Sequence, residues 1–181
     1  VLDIAASRGH LRIVKLLLEK QAPIRENYEN LGPNFWRDSA LHWACRNSIA
    51  PPYREAHVTA GNQKVIDVLA KHVQNINLRN LTQETPLHVA VKSGAVETAK
   101  HLLENYPKVD IDAQNSDGNT PLHLAVFSQS VMRVSADQRA ALIKLLLKHG
   151  AKTNLKNDNQ ETPLDLAKTH ENQIILKALQ Q

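Results

Sequence analysis

One short phrase returns along the chain, and it restricts the possible folds more than any other feature. It reads Thr-Pro-Leu-His-Val-Ala at residues 85–90. Related copies stand at residues 39–44, 120–125 and 162–167, and a clipped copy stands at residues 1–6. A second apolar run follows, as in Ile-Val-Lys-Leu-Leu-Leu after the clipped copy. A unit that recurs in this way predicts a repeat protein, in which each unit buries its apolar side against the next.

The residues of the phrase are those that begin a short helix. Thr85 can cap a helix N-terminus with its hydroxyl, and Pro86 fits the first turn, where a missing N–H is not needed. The Leu that follows is expected to enter the layer between units, and the Ala allows helices to approach closely. Gly150 and Asn105, after second runs, suit a left-handed C-cap. Each unit is thus predicted to be a short helix, a tight turn, a longer helix and an extended loop.

The phrase Thr-Pro-Leu-His-x-Ala is typical of one family. On these residues the chain resembles the ankyrin-repeat family over essentially its whole length. The resemblance implies an all-α fold, an ankyrin-repeat solenoid of about five stacked helix-turn-helix units with extended loops between repeats. It predicts one domain over residues 1–181, as a fragment of a longer protein, with repeats roughly at 1–33, 34–79, 80–114, 115–156 and 157–181.

The spacing between copies departs from the period of about 33 residues. Successive fourth positions of the phrase are 39, 46, 35 and 42 residues apart. The extra residues are predicted between the two helices of the second repeat, at 48–58, and of the fourth repeat, at 129–136, and in the loop at 27–36. The two insertions between helices either form part of a binding face or are tolerated because loop lengthening costs little free energy.

Composition and charge narrow the classes of function. The 22 basic and 18 acidic residues give a net charge of +4 without a run of Lys and Arg, so we predict no nucleic-acid partner. No apolar run reaches about 18 residues, so we expect no membrane insertion. The one cysteine, Cys45, excludes an internal disulfide and indicates a reducing compartment. We expect a monomer in the cytoplasm, with the nucleus or a host-cell cytosol as alternatives.

The recurring histidines are possible metal ligands, but their spacing argues against a shared metal site. His42, His88 and His123 fall on separate repeats, about 10 Å apart across packed helices, whereas ligands reach a shared ion at about 2 Å. The resemblance implies instead that each imidazole forms hydrogen bonds in the turns between repeats. Cys45 is expected in the core, and the sequence has no phosphate-binding Gly-rich loop or Gly-x-Ser-x-Gly turn. We predict no catalytic residue, no metal and no cofactor.

The resemblance also implies where a partner binds. In ankyrin-like proteins, partners contact the loop tips before each phrase and the exposed side of each first helix, along the concave side. The matching positions here are Phe35, Trp36, Asp38, Arg46, Asn47, Leu81, Thr82, Glu84, Lys92, Ser116, Asp117, Asn119 and Phe127. Aromatic residues are frequent in interface hot spots, so Phe35 and Trp36 either form the high-energy end of this groove or fold into a local mini-core against residues 24–34. Trp43 is expected to pack in the core.

These observations predict a non-catalytic module that binds a cytosolic protein partner through its concave groove. An alternative is a docking segment of a larger multidomain enzyme or of a secreted bacterial effector, whose chemistry lies elsewhere. A third hypothesis is binding of nucleic acid or lipid headgroups by a basic surface. The lack of a basic cluster argues against this third hypothesis.

Overall fold

The computed structural model describes residues 1–22, 24, 38–46, 57–126 and 134–169, without the side chains of residues 57–62 and 169. Within these residues the chain forms nine helices and no strand, which confirms the all-α prediction. The helices are α1 (Leu2–Ser7), α2 (Leu11–Glu19), α3 (Ala40–Cys45), α4 (His57–Ala70), α5 (Pro86–Lys92), α6 (Val96–Asn105), α7 (Pro121–Val126), α8 (Ala136–Lys148) and α9 (Pro163–Thr169). The short helices α1, α3, α5, α7 and α9 each carry one copy of the phrase.

Polar side chains cap several helices, and the cap at Thr85 was predicted from the sequence. The Thr85 hydroxyl accepts a hydrogen bond from the backbone N–H of His88 at 3.4 Å, and Pro86 is the first residue of α5. Ser135 does the same for α8 by accepting from the N–H of Gln138 at 3.2 Å. Each cap satisfies a donor that the helix itself leaves without a partner.

The helix pairs stack in two rows. The first helices α1, α3, α5, α7 and α9 contact one another in that order, and the second helices α2, α4, α6 and α8 form a parallel row. Leu41, Leu87 and Leu122 of the phrase are buried among the first helices, and Cys45 is buried as expected. The result is one continuous apolar core, shared between neighbouring repeats. This is the predicted solenoid.

The helix bounds agree with the predicted place of the two insertions. Helix α3 ends at Cys45 and α4 begins at His57, while α7 ends at Val126 and α8 begins at Ala136. In the third repeat, by contrast, only residues 93–95 separate α5 from α6. The inserted residues 48–56 and 129–133, and the loop at 27–36, lie outside the described residues.

One C-cap prediction was right and the other was wrong. Gly150 follows the C-cap of α8 with a φ of 87°, the left-handed conformation that glycine adopts most easily. Asn105, however, is the last helical residue of α6, and the C-cap is Tyr106 with a φ of −126°. The Asn105 amide donates instead to the carbonyl of His101 at 3.0 Å, so its side chain satisfies a helical carbonyl while its backbone stays helical.

Candidate functional site

Three buried imidazoles connect each first helix to the next repeat. The Nε2 atoms of His42, His88 and His123 lie 2.9, 3.0 and 3.1 Å from the carbonyl oxygens of Glu84, Asn119 and Glu161, respectively. In each of these repeats the backbone N–H of the capping Ser or Thr donates to Nδ1, at 3.1–3.2 Å. The imidazoles thus form hydrogen bonds in the turns between repeats, as the family resemblance implied.

This geometry fixes the protonation state of the three imidazoles. Because Nδ1 accepts a backbone hydrogen bond, the proton of the neutral ring resides on Nε2, which donates to the carbonyl. A second proton on Nδ1 would face the N–H that now donates to it. Burial lowers the pKa of His88 to about 4, and it lowers the pKa values of His42 and His123 as well. Both nitrogens of each ring are occupied, which leaves none to ligate a metal.

An asparagine holds each described loop tip in shape. The side-chain oxygen of Asn80 accepts from the backbone N–H groups of Thr82 and Glu84 at 3.0 and 2.9 Å. Asn115 makes the same two contacts in the next repeat, to Asp117 and Asn119. The loop tip is therefore a closed turn fixed by a side chain, and its outermost residues are held in place.

Neighbouring loop tips are also bonded to each other. The N–H of Ser116 donates to the carbonyl of Thr82 at 2.9 Å, and the N–H of Asp158 donates to the carbonyl of Asp117 at 3.1 Å. Gly118 sits at the closest approach, with a φ of 71°, and a Cβ at this position would lie 2.5 Å from Oδ1 of Asp158. The tips of the third, fourth and fifth repeats therefore form one rigid edge.

Two predicted loop-tip carboxylates lie inside this network and not on its surface. Asp38 and Glu84 are 2% and 4% exposed. Oδ2 of Asp38 accepts from Arg46 at 2.7 Å, and Oε1 of Glu84 accepts from Lys92 at 2.6 Å. A carboxylate taken out of water requires a charge partner, and the cation eight residues later supplies it. The prediction that Asp38 and Glu84 offer surface to a partner is corrected accordingly.

The cations of these pairs remain accessible to different degrees. The Lys92 side chain is 40% exposed, whereas the Arg46 guanidinium is mostly covered and lies 4.9 Å from the ring centroid of Trp43. This stacking is a cation–π contact. Trp43 is half-buried, and its indole Nε1 is buried with no hydrogen-bond partner among the described residues. Trp43 thus packs partly into the interior and partly beneath Arg46.

The remaining predicted positions divide into exposed, half-buried and undescribed ones. Leu81, Ser116 and Asp117 are exposed at loop tips, while Thr82 and Asn119 are half-buried. The structure brings these five together along the edge of bonded tips. Phe35, Trp36, Asn47 and Phe127 lie outside the described residues.

A polar cluster on the second helices was not predicted from the sequence. Oδ1 of Asp67 on α4 accepts from Nε2 of His101 at 2.7 Å and from the hydroxyl of Tyr106 at 2.6 Å. Burial acts to raise the pKa of Asp67, but these two hydrogen bonds outweigh it, so the pKa of Asp67 lies below its ordinary value. Burial, together with the bond to Asp67, raises the pKa of Tyr106. The sequence signal that could have predicted this contact is the separation of about one repeat between Asp67 and His101.

The described residues contain neither a cluster of metal ligands nor a membrane-spanning helix. No group of three or more His, Cys, Asp or Glu in that part of the chain is arranged to hold a metal ion. None of the helices found there has the length and apolar character needed to cross a membrane.

The chain is similar to curated proteins much longer than itself. It is 27% identical over 192 residues to alpha-latrotoxin-Lg1a of Latrodectus geometricus, covering 97% of this chain and 13% of the toxin. It is 28% identical over 184 residues to ankyrin repeat protein FPV031 of Fowlpox virus (strain NVSL), covering 99% of this chain and 46% of that protein. A shorter match, 39% identical over 72 residues, is to NF-kappa-B inhibitor alpha of Gallus gallus and covers 40% of this chain and 22% of the inhibitor.

Family models agree with the structure. A model of ankyrin repeats in three copies matches residues 56–136, and a model of a single ankyrin repeat matches residues 1–27 and 117–158. Ankyrin repeats are protein–protein interaction modules that are generally non-catalytic. From the recurring phrase, the stacked helix pairs, the imidazole contacts between repeats and these matches, the chain belongs to the ankyrin-repeat family.

Proposed function

We propose that this chain is a non-catalytic scaffold that binds a cytosolic protein along its edge of bonded loop tips and the adjoining ends of the first helices. The main support for this proposal is the exposure of Leu81 at a loop tip. This residue is 51% exposed, and it is the one large exposed apolar side chain outside the first repeat among the described residues. Leu81 lies at a loop tip, the position at which partners contact ankyrin-like proteins, and burial of an apolar side chain against a partner is favourable.

The backbone beneath Leu81 is held rigidly. Asn80 closes the turn through two backbone N–H groups, and the N–H of Gln83 donates to the carbonyl of Asn80 at 3.0 Å. Gln83 has a φ of 58°, a left-handed conformation that few side chains favour. A tip that is ordered before binding loses little conformational entropy when a partner arrives. Leu81 is therefore presented in a way that suits recognition.

The sequence of the preceding repeat has an apolar residue at the position that corresponds to Leu81. Asn34, Phe35 and Trp36 stand before the cap Ser39 as Asn80, Leu81 and Thr82 stand before Thr85. Phe35 thus shares the sequence position of Leu81, and Trp36 shares that of Thr82. An apolar residue at this sequence position in two successive repeats supports a partner with an apolar contact surface at this end of the edge, continued by the polar tips Ser116 and Asp117.

The first-helix positions complete the proposed contact surface. Lys92 is half-exposed beside its carboxylate partner, and Arg46, Asn47 and Phe127 share the corresponding part of their repeats. Asp38, Glu84 and Asn119 have a different role in this proposal. Asp38 and Glu84 hold Arg46 and Lys92 and so set the position of groups that meet the partner, while the carbonyl of Asn119 accepts from the buried His88 and fixes the loop tip.

Site-directed photo-crosslinking tests the proposal. A photoreactive residue is placed at Leu81, and in a matched control at the exposed Lys100 on α6 in the second row of helices. We expect the Leu81 probe to capture a discrete protein from cytosol that the Lys100 probe does not capture. Capture of the same protein by both probes, or by the Lys100 probe alone, contradicts binding at the loop tips.

The module as a docking segment of a larger protein is a second candidate. The observation that favours it is that the chain spans 13% and 46% of the first two relatives. In this case the loop tips perform the same binding, and the captured protein is a substrate or target of a separate domain. An intracellular setting is proposed in both cases, because Cys45 is a free thiol and reducing compartments preserve thiols.

A further inference from the structure

A carboxylate stands directly before the helix cap in three repeats, and in two of them a cation eight residues later pairs with it. Oδ2 of Asp38 accepts from Arg46 at 2.7 Å. Oε1 of Glu84 accepts from Nζ of Lys92 at 2.6 Å. In the fifth repeat Glu161 supplies the carboxylate, but the position eight residues later is occupied by threonine. The fifth repeat therefore keeps the acidic member of the pair and lacks the basic one.

The loop holds Glu161 in the same way as Glu84. The backbone N–H of Glu84 donates to Oδ1 of Asn80 at 2.9 Å, and that of Glu161 donates to Oδ1 of Asn157 at 3.0 Å. Nδ2 of the same asparagine lies 3.5 Å from Oε2 of Glu84 and 3.4 Å from Oε2 of Glu161. Oε1 of Glu84 receives the ammonium of Lys92, whereas no donor in the described part of the chain reaches Oε1 of Glu161. The place that a cation fills in the third repeat is open in the fifth.

The surroundings of Glu161 are accessible and negatively charged. Glu84 is 4% exposed, whereas Glu161 is half-buried and can be reached from solvent. Asp117 and Asp158 at the two neighbouring loop tips are exposed. Neither of these carboxylates forms an ion pair with a cation of the residues that the structure describes. This end of the edge of bonded loop tips therefore carries uncompensated negative charge.

Two lysines of the fifth repeat act on a different carboxylate. Nζ of Lys168 lies 3.8 Å from Oδ1 of Asp165 on α9. Lys156 also acts electrostatically on Asp165. Neither lysine occupies the place beside Glu161 that corresponds to the ion pairs of the second and third repeats.

We infer that Glu161 docks a Lys or Arg side chain of the protein that binds along the loop tips, in the place that Lys92 takes on Glu84. The inference rests on the proposed function, since it names the chemistry of one partner side chain at the same edge. Charge complementarity supports a cation, because opposite charges across an interface favour association and fix its register. Leu81 lies two repeats away, at a separation of roughly 20 Å. The bound segment is therefore apolar where it meets Leu81 and basic where it meets Glu161.

A titration with hexalysine tests the cation site without the partner. Amide NMR shifts are followed at low ionic strength for the unmodified chain, for E161Q and for E97Q, which removes one charge from an exposed position on α6. We expect the largest shifts at residues 157–162, and about threefold weaker binding in E161Q than in E97Q. Shifts centred on α6, or equal affinities of the two variants, would overturn the inference.

A second pair of variants tests whether the partner uses the same site. T169K places a lysine at the spacing that Lys92 has from Glu84, so that the chain fills the site itself and keeps Glu161. The affinity of the protein captured at Leu81 is measured for T169K and for E161Q, and the Tm of each variant is recorded. We expect a loss of about fivefold or more in both, with the Tm retained.

The outcomes separate this inference from the proposed function. E97Q should bind the captured protein as the unmodified chain does. Unchanged affinity in both E161Q and T169K overturns the inference and leaves binding at Leu81 intact. If the Leu81 probe captures no discrete protein, the proposed function fails, and the hexalysine titration still decides whether Glu161 takes a cation. If E161Q lowers the Tm, the affinity of T169K decides, because this variant retains the carboxylate.

Discussion

The two rows of helices share one apolar core but differ in the polar contacts that cross each junction. Between the first helices and their loops, polar groups cross each junction: imidazoles meet carbonyls, and backbone N–H groups join neighbouring tips. Between the second helices, apolar residues such as Ile66, Leu102 and Leu146 supply most of the contact. Hydrogen bonds have direction and burial does not. The first helices and their loops, here called the loop row, therefore fix the position of the binding residues, while the apolar contacts supply most of the stability.

The largest expected effect is on the apolar side of this comparison. Leu102 on α6 is fully buried, so Leu102→Ala should reduce the free energy of unfolding by about 2–5 kcal/mol in urea titrations. Leu102→Met conserves volume and should cost less than about 1.5 kcal/mol. Crosslinking from Leu81 by the protein that remains folded should be unchanged. If Leu102→Ala lost crosslinking while its free energy of unfolding stayed normal, the second row of helices would contribute to binding and not to stability, which contradicts the account.

The loop row of the same repeat should respond less in stability. His88→Ala removes a partner from the N–H of Thr85 and from the carbonyl of Asn119, both in a buried site. We expect a loss of about 1–3 kcal/mol, the cost of leaving buried polar groups unsatisfied. His10 is exposed, and His10→Ala is the matched control, with a change within about 0.5 kcal/mol. Equal effects of the two substitutions would contradict the role of the imidazole.

Acid should lower the free energy of unfolding through the buried imidazoles of the first helices. The pKa of His88 is lowered by burial from 6.5 to about 4, and His42 and His123 shift in the same direction. The unfolded chain therefore binds more protons than the folded chain between about pH 4 and 6.5, and stability falls as the pH is lowered through that window. Unfolding titrations should show a plateau above pH 7 and a slope below 6.5. The slope should be shallower in His88→Ala.

The polar cluster on the second helices should contribute less than the buried imidazoles. Tyr106→Phe removes one hydrogen bond to Asp67, a carboxylate whose side chain is 44% exposed, and keeps the aromatic ring. We expect a loss of about 0.5–1.5 kcal/mol. If Tyr106→Phe lost more free energy of unfolding than His88→Ala, polar contacts would matter as much between the second helices as between the first. That result would contradict the difference between the two rows.

Much of the fold followed from local sequence. Capping Thr and Ser, the Pro at the first turn and the apolar runs determine short helices without reference to distant residues, and these helices were predicted. The burial of Asp38 and Glu84 was not, because it depends on how a loop packs beneath the end of a helix eight residues later. The contact of Asp67 with His101 depends on the stacking of two repeats. The recurring Asn five residues before each cap, as in Asn80 and Asn115, was present in the sequence and would have identified the closed loop tips.

The smallest stability effect should accompany the largest effect on binding. Trp36→Ala separates the two hypotheses for the residues that precede Ser39. If Trp36 meets the partner, truncation should cost 2 kcal/mol or more of binding, about a thirtyfold loss of affinity, with the melting temperature retained. If Trp36 belongs to a mini-core, the melting temperature should fall by several degrees while binding is kept.

The central claim is that rigid loop tips bind the partner, and a titration of the protein captured at Leu81 tests it most directly. Affinities are measured by calorimetry for the unmodified chain, for Leu81→Ser and for Lys100→Ala, the control at an exposed position on α6 in the second row of helices. We predict at least a tenfold loss of affinity for Leu81→Ser, about 1.4 kcal/mol, with a free energy of unfolding within about 0.5 kcal/mol of the unmodified chain. The control should differ little in either quantity. Unchanged affinity in Leu81→Ser would contradict the account.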